Sequence, residues 1–222
     1  MVTVASMGPQ VAEPAPPAPV RDECQELSEA NDGARYQLWQ RTDDQSLMGE
    51  NVKVSDQLSF PNGSQSGTTV SSMGVGSPGG ESIWTFTAHN SQKAQEFFPT
   101  QLESGGSEAV RSGNAPTLCG YTHPDPAEQK SGHAEARLFD TLGPNWNTPV
   151  KMTFNIDWRP NQGAPSKMPC PTCHKMMCKV KECKHQIFLC KKDGTPVEVS
   201  EKHCPATADS YQQLQSDMGE AE

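Results

Sequence analysis

The 222-residue sequence predicts a mixed α/β fold, one sheet with helices laid against it. Three stretches carry that expectation. "VKMTFNIDW" (150–158) sets Val150, Met152, Phe154, Ile156 and Trp158 on one side at period two, as a half-buried strand does. "HAEARLFDTL" (133–142) places Ala136, Phe139 and Leu142 three apart, a helical stripe that Gly143 and Pro144 stop. "HQIFLC" (185–190) and "TPVEVS" (195–200) read as short strands joined by "KKDG", a hairpin signal with Asp-Gly at its tip.

In chain order, residues 1–45 read as a Pro-rich acidic linker or disordered leader, with "PQVAEPAPPAPV" at its centre. A folded domain is expected over 46–204. Within it "GENVKVSDQLSF" (49–60) alternates in places as a strand does, and the Gly/Ser-rich 61–80 reads as a loop. "SIWTFTAHN" (82–90) is a better strand, with β-branched and aromatic residues at period two. Residues 91–130 read as irregular, with at most a short helix around "SQKAQEFF". After the central strand, "PCPTCHKMMCKV" (169–180) opens on proline, as helix first turns often do. Residues 205–222 lack Lys and Arg and read as a flexible acidic tail. The antiparallel last pair completes the sheet.

Net charge is −9, unevenly spread. Residues 130–203 hold 12 Lys/Arg against 7 Asp/Glu, and the rest of the chain 6 against 20. A basic middle between acidic flanks suits either a polyanion-binding face or an ordinary solvated surface. No stretch approaches the ~20 apolar residues of a membrane span, and "MVTVASMGPQ" lacks the basic head and apolar run of a Sec signal. Six of the eight cysteines fall between Cys170 and Cys204. Such density suits a disulfide framework in a secreted mini-protein. A C-x-x-C close to several histidines, without a signal peptide, points first to metal.

The metal-binding chemistry gathers at two expected helix starts, where unpaired N–H groups and the helix dipole favour negative charge. One imidazole and two thiolates, His133, Cys170 and Cys173, make three ligands, so that a tetrahedral Zn2+ keeps its fourth position for water. Glu135 lies near His133 without needing to ligate, and is placed to carry protons. The bland alternative is a closed knuckle that takes two further sulfurs from Cys178, Cys183, Cys190 or Cys204. Spacings of four between Cys173, Cys178 and Cys183 fit paired C-x-x-C knuckles poorly, and Cys178, Cys183, Cys190 and Cys204 read better as buried small apolar residues.

"HAE" at 133–135 and "PCPTC" at 169–173, with 34 residues between Glu135 and Cys170, resemble the H-x-E…P-C-x-x-C signature of the zinc nucleobase deaminases. The resemblance covers roughly residues 50–200. The Pro-rich leader and antiparallel last strands look most like the bacterial polymorphic-toxin deaminases. It implies a cytidine-deaminase-like sheet, one catalytic zinc on His133, Cys170 and Cys173, and Glu135 as proton carrier. The implied activity is hydrolytic conversion of cytosine to uracil in nucleic acid, DNA ahead of RNA. An immunity protein as partner, delivery by secretion and action in a target cell's cytoplasm follow from the same analogy. A free-nucleoside or RNA deaminase and a non-catalytic zinc-stabilised binding module remain alternatives. The long Gly-rich stretch at 61–80 and the extra cysteines depart from the pattern.

Candidate substrate contacts are Trp146 in the "GPNWN" loop, for stacking on a base, and Asn90 at a strand end, for hydrogen bonding. His174 is expected on the helix surface beside the site. Lys191 and Lys192, with "KVKECK", are candidates for phosphate contact, or simply solvate an exposed face. Trp158 reads as core. His185 and His203 carry no assignment.

Overall fold

The computed structural model describes residues 22–41, 68–90, 119, 133–142, 148–160 and 164–220. Its elements run α1 (Glu23–Arg41), β1 (Thr68–Gly76), β2 (Ser82–His89), α2 (Ala134–Leu142), β3 (Lys151–Arg159), α3 (Pro171–Glu182), β4 (Gln186–Cys190), β5 (Pro196–Glu198), a 3-10 turn (Glu201–His203) and α4 (Ala208–Met218). The five strands form one sheet in the order β2-β1-β3-β4-β5. Only β3 and β4 run parallel, and α3 is the crossover between them. The last pair, β4 and β5, is antiparallel, as the hairpin signal predicts. Asp193 fixes that hairpin by accepting from the Thr195 N–H at 2.9 Å and its hydroxyl at 2.6 Å.

The two faces of the sheet differ in chemistry. Met152, Phe154 and Ile156 of β3 pack with Phe139 of α2 and with Met176, Met177 and Val180 of α3 in the main core. The rings of Phe139 and Phe154 lie 5.1 Å apart. The alternate residues of β3 face α1, and that layer is polar. Asn31 donates to the Asn155 carbonyl at 2.9 Å, Asn155 donates to the Cys24 carbonyl at 2.9 Å, and Ser72 donates to Asn31 at 2.8 Å. Arg35 and Asp157 form a buried ion pair. Asn31, Ser72, Asn155, Arg35 and Asp157 partner one another there, which offsets the cost of burying them, while the Thr153 hydroxyl on the same face has no hydrogen-bond partner.

Three expectations are corrected here. The Gly/Ser-rich stretch read as a loop contains β1, the strand between β2 and β3. Small residues are needed there because α1 lies directly on it: a Cβ at Gly74 would stand 2.6 Å from the Ser82 hydroxyl and 3.0 Å from the Glu23 carboxylate. The leader and tail also carry structure. Asp22 caps α1 by accepting from the Cys24 N–H at 2.9 Å, so the folded unit includes residues 22–41. Thr207 caps α4, Gly219 ends it in the left-handed conformation, and Leu214 and Met218 enter the main core. The folded unit therefore extends past 204.

The third correction concerns sulfur. Cys178, Cys183, Cys190 and Cys204 are not lone apolar fillers but halves of disulfides: Cys24–Cys190, Cys119–Cys183 and Cys178–Cys204. Linear spacing conceals this pairing, because two of the partners lie 166 and 64 positions away. The strand expected at 49–60, the short helix near 91–98 and the Trp146 loop lie outside the described residues.

Candidate metal centre

Two helices begin at the same place. His133 precedes α2 and its carbonyl accepts from the Arg137 N–H at 3.1 Å; Cys170 precedes α3 and its carbonyl accepts from the His174 N–H at 2.9 Å. Cys170 is the N-cap of α3, and its sulfur accepts from the Cys173 N–H at 3.4 Å. Pro171 follows at the first helical position, where a missing N–H costs nothing. The His133 Nδ1 stands 3.3 Å from the Cys170 sulfur and 3.3 Å from the Cys173 sulfur. Tetrahedral zinc at its usual bond lengths sets nitrogen and sulfur about 3.5 Å apart. The donor set and its spacing fit such an ion.

The disulfides count against a centre closed by four sulfurs. Cys170 and Cys173 are the two cysteines of the eight outside disulfides. The four other sulfurs of the closed-knuckle alternative are bonded elsewhere. Among the described residues, His133, Cys170 and Cys173 form the donor group that no disulfide occupies.

Charge around the site is organised by burial. Glu135 is 3 % exposed. Burial first, and then the Cys170 charge, push its carboxyl up to about 7, against hydrogen bonds and the His133 charge. The Cys170 thiol is drawn down to about 4, chiefly by its hydrogen bond with Cys173 and also by His133 and the Cys173 N–H. Its partner Cys173 is pushed well above the ordinary value by that same bond, by burial and by Glu135. The opposite directions make Cys170 the more acidic sulfur of the pair, and a metal ion would favour the deprotonated form of both.

The substrate candidates fare unevenly. The Asn90 side-chain carbonyl accepts from the Thr69 N–H at 2.8 Å, stitching the end of β2 to β1. His174 is buried rather than on the helix surface, as α4 covers it: its ring lies 5.5 Å from that of Tyr211. Lys191 stands 3.3 Å from Asp193, and Lys192 3.9 Å from Glu220. Trp158 packs against the core, as expected. His185 accepts from the Val150 N–H at 3.2 Å, and His203 lies 2.8 Å from Asp217, so both serve the fold.

Sequence reasoning misses Tyr211. Its hydroxyl donates to the Pro169 carbonyl at 2.8 Å and braces the turn that presents Cys170. A legible signal existed, since Tyr211, Leu214 and Met218 lie three and four apart behind the Thr207 cap.

No family model matches the chain, and no curated protein or solved structure matches it significantly. Among the described residues, no helix is long and apolar enough to cross a membrane. The molecule is thus a mixed α/β protein with Cys/His clusters that suit a metal ion.

Proposed function

We propose that the chain is a zinc-dependent hydrolytic deaminase that converts cytosine to uracil in nucleic acid, DNA ahead of RNA, as a bacterial toxin domain. The observation that carries this reading is one imidazole and two thiols meeting beside a buried carboxyl, with every other cysteine tied in a disulfide. A bound zinc would supply water acidified toward neutral pH, since three protein donors leave a coordination position open.

The remaining work falls to the chain's own groups. Glu135 takes a proton from the attacking water and delivers it to the ring nitrogen, then takes the proton of the hydroxyl newly bonded to the ring carbon and passes it to the departing amine. Cytosine and water become uracil and ammonia. Burial favours the protonated form of this carboxyl and so suits it to hand on a proton it has taken up. The starts of α2 and α3 favour the negative charge that collects there. Support for an exported toxin is indirect: three disulfides suit an oxidising compartment. The basic middle of the chain supports a polyanionic substrate.

The test compares wild type with Glu135→Ala for bound zinc and for uracil formed in single- and double-stranded oligonucleotides. Equal zinc in both is expected, with conversion lowered about 10²–10⁴-fold in the variant. Zinc without conversion in the wild type would favour the binding module instead. Conversion of free cytidine alone would move the substrate class and keep the chemistry.

A further inference from the structure

Helix α3 carries a second donor cluster. His174 and Cys178 lie one turn apart on the same face, with the His174 Nε2 3.6 Å from the Cys178 sulfur. Cys204, which follows the 3-10 turn, brings its sulfur to the same point, and the three donor atoms lie within 4.8 Å of one another. In the oxidised chain these two sulfurs are bonded to each other, their Cα atoms 5.5 Å apart.

We propose that reduction of the Cys178–Cys204 disulfide opens a second metal site, in which Cys178, Cys204 and His174 hold a thiophilic divalent cation such as zinc. A Cys2His centre needs sulfurs about 3.8 Å apart and each about 3.5 Å from the nitrogen. The His174–Cys178 distance of 3.6 Å is already close to that, and the two sulfurs would separate once their bond is broken. An open cavity of about 460 Å³ has Cys178 and Cys204 in its lining and offers a route for the reductant, the ion and a solvent ligand.

The exchange balances. A dithiol reductant is oxidised to its own disulfide, and its two electrons and two protons pass to the Cys178 and Cys204 sulfurs. The incoming cation then displaces both protons. One set of side chains therefore staples α3 to the segment after β5 in an oxidising compartment and holds an ion in a reducing one. The proposal is independent of the activity assigned to the His133 centre, because its donors are different side chains.

The test removes the first centre. The full-length Cys170→Ser/Cys173→Ser variant is titrated with zinc against a chromogenic chelator. One sample is oxidised; the other has been reduced with dithiothreitol and desalted under argon. Thiol counting establishes that the disulfide is open. The oxidised variant is expected to bind no zinc, and the reduced variant about one per chain, with cobalt giving a thiolate charge-transfer band only after reduction. Adding His174→Ala or Cys204→Ser should weaken the gained site at least tenfold, whereas Cys119→Ser/Cys183→Ser should leave it. A reduced variant that gains no metal, or a gain that both His174→Ala and Cys204→Ser leave intact, overturns the proposal.

Discussion

Replacing Asp157 by asparagine strands a charge inside the protein. Arg35 is 0 % exposed, and its guanidinium meets the Asp157 carboxylate and donates to the Asp157 carbonyl at 2.7 Å. Burial already draws Arg35 down to about 10 with the carboxylate present. In Asp157→Asn the carbonyl bond survives, but the paired anion is gone, leaving Asp32 as a weaker counter-charge against the Arg159 cation nearby. Removing one partner of a buried pair costs about 3–5 kcal/mol, and the surviving carbonyl bond sets the expectation at about 3. That is a large share of the roughly 5–15 kcal/mol that holds a domain together. Urea unfolding at pH 7 measures it as a lower midpoint at unchanged slope. Arg35→Met/Asp157→Leu should recover most of the loss, because it removes both desolvated charges. The pH dependence has a definite sign. Burial pushes the Asp157 carboxyl up, but Arg35, Arg159 and Lys167 together overcome it and hold the group below the ordinary range. A depressed folded value means the contribution is present above the unfolded value of about 3.9 and is lost as pH falls through the folded one. A variant within about 0.5 kcal/mol of wild type, or one with an unchanged acid slope, would refute this reasoning.

Three other outcomes follow from the packing. Cys24→Ser opens a bridge across 166 positions. Loop closure sets the ceiling of its effect at about 5 kcal/mol, read by chemical denaturation, and a loss under about 1 would contradict the staple role. Phe139→Ala empties a fully buried site against Phe154. It should cost about 3–5 kcal/mol in thermal unfolding. Tyr211→Phe removes the bond to the Pro169 carbonyl. About 1 kcal/mol of stability should go, together with severalfold in zinc affinity by chelator competition; unchanged affinity would make the tyrosine a packing residue only.

Legibility in the sequence tracked how far each signal reached. The period-two run in β3 and the Asp-Gly hairpin are local and strong, and both elements stand where expected. The two half-sites were readable because His133, Cys170 and Cys173 are rare residue types at two helix starts. What failed depends on contacts distant in sequence. The Gly and Ser of β1 look like loop until Glu23 and Asn31 are seen pressing on them. The stripe of α1 toward the sheet is Cys24, Leu27, Asn31 and Arg35, too polar for a hydrophobic reading to find. Its partners Asn155 and Asp157 lie more than 120 positions away. The disulfides are the clearest case, since pairing is a property of the folded chain.

An open centre built on His133, Cys170 and Cys173 is read by X-ray absorption at the zinc edge. On the oxidised, zinc-loaded chain it should count two sulfurs at about 2.3 Å, with the remaining ligands nitrogen or oxygen at about 2.0–2.1 Å. A shell of four sulfurs, or of nitrogen and oxygen alone, would contradict the account.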